Sequence, residues 1–249
     1  MIINRPLISV VIPAYNEEKY LPSCLGAIKK QTFKDFELIV VDNNSKDKTA
    51  KVARKYGARV VKETKHGMIP ARERGFKEAE AEIIARTDAD TVVAPDWLEV
   101  IYETFQKKTE VVAMTGPWLS PNRKLPDKIT QSYSYFISVR LGKMMSGHVY
   151  LLGPNYALRK SVWKKVKVIK DDRKVHEDID LSCHLANEGE ILYNHKMKVI
   201  CSYRRVTENP FKGLANYMGE YPIRYIKTLY HNKDGVFRRI NRRRKTISS

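Results

Sequence analysis

The sequence predicts an α/β protein with a mostly parallel sheet covered by helices on both faces. Three observations carry this. Short apolar runs alternate with amphipathic stretches through the first half of the 249 residues. Helix stops and starts, such as Gly57 and Pro70, fall between them. Polar clusters follow three of the apolar runs. Such alternation implies right-handed βαβ crossovers, and ligands then lie outside the carboxyl ends of the strands.

Taken in order, "LISVVIPAY" is the first strand, and a helix is expected from near Asn16 with Leu21, Leu25 and Ile28 on one face. "FELIVVDN" is the second strand. "SKDKTAKVARKYG" follows as a helix, with Ser45 or Asp47 as N-cap and Gly57 as stop. "ARVVKE" is the third strand, and Pro70 opens the next helix. "EIIART" is the fourth strand, "PDWLEVIYETFQKK" a helix and "EVVAMTG" the fifth strand. Beyond "LSPNRKLPDK", a connection, a helix is expected over about 129–145. Another edge is formed by Leu181 and Leu185, ended by Gly189, and "EILYN" and "KVICSY" read as two short strands.

An apolar content of 43% suits an ordinary globular chain. No run reaches the ~18 apolar residues of a bilayer span; the segment 129–152 is broken by Arg140, Lys143 and His148. "MIINRPLISVV" is too short in its charged and apolar parts for a signal peptide, so a cytoplasmic location is expected. Cys24, Cys183 and Cys201 lie far apart and read as reduced thiols. The net charge is +18, and from Lys196 to Ser249 there are 14 Lys plus Arg against 3 acids. The run "FRRINRRRK" suits an anionic partner, or is a solvated tail.

The polar clusters are "PAYNEE", "DNNSKD" and "TDAD". Asp88 and Asp90 are two residues apart, so an extended backbone points both to one side. They are either ligands for a hard cation, Mg²⁺ or Mn²⁺, or a solvated turn before a helix that Asp96 would cap better. Asp42 closes the second strand, where a carboxylate can meet a base or ribose or form an Asx-turn. No Gly-x-Gly-x-x-Gly or Walker loop is present, so metal, Arg or Lys would meet phosphates. Lys65, His66, Arg72 and Arg74 surround Gly67; Arg72 either grips a phosphate or base, or is a surface cation. "HEDIDLS" places Glu177, Asp178 and Asp180 at a helix start, as dipole caps or as a general base facing a cleft. "GPNYALRK" before it suggests a shaped loop.

In this order, "SVVIPAYNEEKYLPSCLGAIKKQ", "FELIVVDNNSKDKT", "ARERGFKEAEAEIIARTDAD", "GPNYALRKSVW" and "HEDIDLSCHLANEGEILYN" resemble family 2 glycosyltransferases of the GT-A fold, over about Ile8 to Arg205. The resemblance implies a Rossmann-like central sheet and a mixed C-terminal acceptor half. The catalytic domain would be 1–205, with a nucleotide-binding half of about 1–118 and an acceptor half of about 119–205. Residues 206–249 would be a basic extension, in peripheral contact with an anionic membrane. Pro13, Ala14, Tyr15, Glu17 and Asp42 would hold the nucleotide of a UDP- or GDP-sugar donor. Arg72 would lie near base or phosphate, Asp88 near ribose and metal, and Asp90 would ligate Mg²⁺ or Mn²⁺. Asp178 matches the general base of inverting members. Glu177, Asn155 and Arg140 are candidates for acceptor contact.

Two departures stand out. Many relatives place a His after the last strand, where this chain has Ser202, Tyr203, Arg204 and Arg205; Arg204 and Arg205 would contact the diphosphate. The Gln-x-x-Arg-Trp signature of processive synthases is absent, which points to transfer of one sugar. The acceptor would be a glycan, glycolipid or polyprenyl-linked hydroxyl, in a setting such as envelope polysaccharide synthesis. The alternatives are transfer to a polyprenyl phosphate, as in dolichol-phosphate-mannose synthases, and a non-catalytic basic protein binding nucleic acid. The latter gives no reason for acids at three strand ends, so nucleic acid is not an expected partner.

Overall fold

The computed structural model describes residues 5–121, 126–169, 171, 174–202, 204, 221–233, 235–236 and 239–240. The first half follows the expected alternation: β1 (Ile8–Ala14), α1 (Leu21–Lys29), β2 (Phe36–Asp42), α2 (Thr49–Lys55), β3 (Arg59–Lys62), α3 (Met68–Glu78), β4 (Ile83–Arg86), β5 (Thr91–Val93), α4 (Trp97–Lys107) and β6 (Val111–Thr115). There follow β7 (Trp118–Leu119), α5 (Asp127–Tyr135), a π turn (Phe136–Leu141), α6 (Gly142–Ser146), β8 (Tyr156–Arg159), α7 (Lys160–Trp163), α8 (Glu177–Leu185), β9 (Glu190–Tyr193), β10 (Val199–Cys201) and α9 (Tyr221–His231). No helix of the described residues is long and apolar enough to cross a membrane.

Seven strands form one sheet in the order β3-β2-β1-β4-β8-β6-β9, and β5-β10-β7 form a small second sheet. The large sheet is parallel except for β8, which runs antiparallel to both β4 and β6. Strands from both halves of the chain therefore share one sheet. Alternate residues of β1 serve opposite layers. Ile8, Val10 and Ile12 pack with Leu21, Leu25 and Trp97, while Val11 packs with Phe76 and Leu181. That is the two-sided covering that near-continuous apolar strands require.

Local expectations shift in detail. The first helix starts at Leu21, because residues 16–20 make a turn in which Asn16 takes a left-handed conformation (φ 56°). Asp47, one residue outside the cap position, accepts the Thr49 N–H at 2.9 Å. Asp96 stands at the N-cap of α4 but makes no side-chain cap bond. Instead Gln31 Oε1, from beyond α1, accepts the Leu98 N–H at 2.9 Å.

β1 is flanked by β2 on one side and β4 on the other, and the chain leaves in opposite directions from that point. A crevice at the carboxyl ends of such strands is the expected ligand site of an open α/β sheet.

Candidate active site

The loops after β1 and β2 are stitched together at this crevice. Asn16 Oδ1 accepts the Lys46 N–H (2.8 Å), and Ser45 Oγ accepts the Asn16 N–H (3.0 Å). Thr49 Oγ1 accepts the Glu17 N–H at 2.7 Å. Pro13 and Ala14 are buried in register with Val41 and Asp42. Asp42 Oδ1 accepts the Ser45 N–H, three residues on, at 3.0 Å and so fastens the loop after β2. Tyr15 is exposed at the rim and meets the His66 ring edge-on, with centroids 4.5 Å apart.

After β4 the chain presents both aspartates. Asp88 Oδ1 is paired with Arg86 Nη2 at 2.7 Å. Asp90 Oδ2 accepts from Arg204 Nε at 2.8 Å, and the same guanidinium binds Glu17 Oε1 while lying over the Tyr20 ring. Arg204 thus ties the end of β1 to the loop after β4. Glu17 Oε2 is buried without a hydrogen-bond partner, and burial holds this carboxyl above its usual range against the pull of Arg204. Arg205 lies outside the described residues.

Among the described residues, no three His, Cys, Asp or Glu side chains gather as a metal cage. Asp88 and Asp90 offer a pair of hard oxygen donors. That set fits an ion such as Mg²⁺ or Mn²⁺, which takes one or two carboxylates and completes its shell with water and substrate phosphates.

The second acid cluster lies at the start of α8. Asp178 is 4% exposed, and its Oδ1 is buried without a hydrogen-bond partner. Burial, then the neighbouring Glu177, push its pKa up to about 6, with Arg86, His176 and Arg72 opposing. Glu177 behaves oppositely: burial raises it, but His176, its own backbone and Arg224 hold it below its usual range. Arg224 donates to Glu177 Oε2 (3.2 Å) and the Val175 carbonyl (2.9 Å), anchoring α9 on the start of α8. Asp180 has a structural part, accepting from the Ile169 N–H (2.8 Å) and Asn232 (2.9 Å).

Three expected site residues are placed differently. Asn155 is fully buried. Its Oδ1 accepts from Trp97 Nε1 (2.8 Å), and its Nδ2 donates to the Met197 (2.6 Å) and Pro117 (3.2 Å) carbonyls. This amide locks α4 to the loop before β7 and the loop after β9, and its full burial keeps it from an acceptor. Arg72 is neither a surface cation nor turned to the Asp42 loop. At 1% exposure it donates to the Glu177 carbonyl (3.0 Å) and Glu73 Oε1 (3.0 Å). Its charge is spent on the start of α8, in place of the expected base or phosphate. Arg140 is exposed on the π turn and makes none of the contacts described around Asp178.

Arg86, two residues before Asp88, is a site residue outside the expected set. It is 2% exposed, stacked over Tyr156 (5.5 Å to the ring centroid), with Nε and Nη1 lacking hydrogen-bond partners. A Cβ on Gly153 would stand 3.1 Å from Arg86 Nη1 and 2.6 Å from Asp178 Oδ2. The Gly-Pro-Asn loop therefore lets backbone approach both groups at once, and Thr87 Oγ1 fixes it by donating to the Pro154 carbonyl at 2.8 Å. Arg86 links the Asp88 end of the crevice to the Asp178 end. The parity that pairs Asp88 with Asp90 applies equally to residue 86, so this signal was present in "ARTDAD".

A switch-point crevice walled by acids at strand ends, in a parallel sheet with one antiparallel insert, is the architecture of GT-A nucleotide-sugar glycosyltransferases. Solved structures with this fold include S. aureus TarS 1-349 in complex with UDP-GlcNAc, at 21% identity and TM-score 0.64, covering 79% of this chain and 58% of that one. Another is the mannosyltransferase PcManGT from Pyrobaculum calidifontis in complex with GDP-Man and Mn²⁺, at 20% identity and TM-score 0.62, covering 94% and 73%. Residues 9–166 match the model of "Glycosyl transferase family 2". The chain belongs to that family. Relatives by sequence include "Glycosyltransferase GlyG" of Streptococcus pneumoniae serotype 4, 36% identical over 108 residues (41% of this chain, 36% of the relative). "Putative glycosyltransferase EpsH" of Bacillus subtilis is 30% identical over 114 residues (44% and 33%). The matched segment thus spans about a third of each curated relative.

Proposed function

We propose that the chain moves one sugar, with inversion, from a UDP- or GDP-sugar to a hydroxyl of a glycan, glycolipid or polyprenyl-linked acceptor. The observation that carries this reading is Asp178: a buried carboxylate with an unpartnered oxygen and a pKa raised to about 6, within the field of the Arg86 that pairs with Asp88. A base poised near the working pH suits removal of a proton from an attacking hydroxyl. Asp178 takes that proton as the acceptor oxygen forms its bond to the anomeric carbon and the bond to the diphosphate breaks. Direct displacement uses no second carboxylate as nucleophile, which is why one base suffices.

On the donor side, Asp42 and the backbone after Ala14 bind the nucleoside, with Tyr15 at the rim. Asp88 and Asp90 would hold Mg²⁺ or Mn²⁺, which when bound would supply positive charge against the diphosphate. Arg204 passes from Glu17 and Asp90 to the diphosphate oxygens, a bidentate match for guanidinium. Glu17 keeps Arg204 beside the crevice until then. Arg72 orients the Asp178 turn through the Glu177 carbonyl. Residues 1–205 form the catalytic domain in this reading, working at the cytoplasmic face of the membrane that carries the acceptor.

The test is a panel of UDP-, GDP- and dTDP-sugars, each with and without Mn²⁺, read by thermal shift and by slow donor hydrolysis. One donor class should raise the melting temperature only with metal and be hydrolysed slowly. No metal-dependent response to any donor overturns the reading. Normal turnover by Asp178→Asn with a lipid phosphate as required acceptor would favour a polyprenyl-phosphate transferase instead, because a phosphate nucleophile needs no base.

A further inference from the structure

The helical stretch from α5 through the π turn to α6 is turned inside out. Besides Val139, which packs in the core, its buried residues are Thr130, Ser134, Ser138, Gly142 and Ser146, small residues at every fourth position. A spacing of four drifts by roughly 40° per step around an α-helix, and the wider π turn winds part of that back. The row fits its surroundings closely. Ser138 Oγ donates to the Tyr150 carbonyl at 2.6 Å, and a Cβ on Gly142 would stand 2.6 Å from the His148 carbonyl. Four large apolar side chains are left on the outer face: Ile129, Tyr133 and Phe136 are 53–55% exposed and Met144 is 66% exposed.

Helix α9 repeats the arrangement. Thr228 is buried, donating to the Arg224 carbonyl and accepting the His176 N–H, while Ile223 (54%), Ile226 (66%) and Tyr230 (68%) face outwards at helical spacing. Tyr150 joins the two stretches, its hydroxyl hydrogen-bonded to Ser146 of α6 and, at 3.0 Å, to Tyr225 of α9. Single exposed apolar residues are ordinary, but two rows at helical spacing are not. Cations accompany both rows: exposed Lys128 and Arg140 on the first, Lys227 and Lys233 on or just after the second. Helix α9 contains no acid, and the 127–146 stretch contains one, Asp127.

We propose that these two rows dock on the surface of an anionic lipid bilayer. The apolar side chains enter the boundary between headgroups and acyl chains, and the flanking cations lie over lipid phosphates, the pattern by which amphipathic helices bind membranes in the interfacial plane. A second copy of the chain is the poorer occupant, since bringing two +18 molecules together face to face is opposed by their charge. The surface adjoins the acceptor side of the crevice, because α9 carries Arg224, which holds Glu177 beside Asp178. This inference shares the membrane location with the proposed function but stands on the two helices alone.

Cosedimentation of the full chain with phosphatidylcholine vesicles, with and without phosphatidylglycerol, tests it in the absence of donor. The chain should pellet with the anionic vesicles, and less so as salt is raised. A Phe136→Gln, Met144→Gln, Ile226→Gln, Tyr230→Gln variant should lose at least about tenfold in partitioning, with an unchanged melting temperature showing that it folds. Arg140→Glu with Lys227→Glu should weaken binding to anionic vesicles selectively. A wild-type chain that stays in the supernatant overturns the proposal. So does a folded quadruple variant that still binds, or a wild-type dimer in sedimentation velocity that the variant abolishes without changing vesicle binding. Since no donor is present, none of these failures bears on sugar transfer.

Discussion

The two acid clusters of the crevice use one residue type in two electrical settings. At the strand ends, Asp88, Asp90 and Glu17 each have an arginine in contact, from Arg86 or Arg204, and the two aspartates keep some solvent exposure. At the start of α8, Asp178 is nearly sealed from water, sits beside Glu177, and has no guanidinium within ion-pairing distance among the described contacts. Carboxylates in contact with a guanidinium at the mouth of a crevice suit the binding of a metal ion or a phosphate. A desolvated carboxylate next to another is held partly protonated near neutral pH, and suits proton transfer. Environment, more than residue identity, assigns the roles.

The sharpest way to break this contrast is to remove each acid in turn. Asp178→Asn should cut transfer by about 10²–10⁴-fold, the usual worth of a positioned base, while donor binding by calorimetry stays as in wild type. Asp90→Ala should instead abolish the metal-dependent part of donor binding, with a loss in kcat/KM of about 10²–10³-fold.

The link between the clusters comes next. Arg86→Met should destabilise the fold by about 2 kcal/mol in urea denaturation, below the 3–5 of a fully sealed pair because Asp88 keeps contact with solvent. It should also move the acidic limb of the pH–rate profile upwards, since the guanidinium opposes the rise in the Asp178 pKa. Gly153→Ala should also lower turnover, because its methyl would meet Asp178 Oδ2 and displace the carboxylate.

The pH dependence follows from the sign of the shift. With Asp178 near 6, kcat/KM should fall about tenfold per unit below that pH. Its folded pKa lies above the unfolded value, so ionised Asp178 works against the fold. That cost is absent at pH 3, grows as pH rises through the unfolded and then the folded pKa, and is complete above about 7. Asp178→Asn should therefore raise the melting temperature at pH 7.5 and lose that gain at pH 3.5. The smallest effect on chemistry is expected at Asn155. Asn155→Ala should cost about 2–4 kcal/mol through orphaned carbonyls and the Trp97 N–H, yet leave the acceptor KM of the folded fraction unchanged.

The parallel half was legible because each strand is a short, nearly pure apolar run and each polar cluster falls at a strand end. The antiparallel β8 was not. It has four residues, and its place between β4 and β6 depends on pairings more than 40 positions apart along the chain. The aspartates were visible by parity, but burial of Arg72, Arg86 and Asn155 was not. Each is polar in sequence and becomes core only through distant partners: Glu177, Tyr156, and Trp97 with Met197. Local patterns report periodicity, and these residues are decided by tertiary contacts.

The most direct test compares Asp178→Asn and Asp90→Ala in one experiment: calorimetric titration with the responding donor and Mn²⁺, followed by single-turnover transfer with the same samples. Intact donor binding with lost transfer for Asp178→Asn, and lost metal-dependent binding for Asp90→Ala, is the predicted result. If both variants lose binding alike, or Asp178→Asn transfers at the wild-type rate, the division of labour between the two clusters is contradicted.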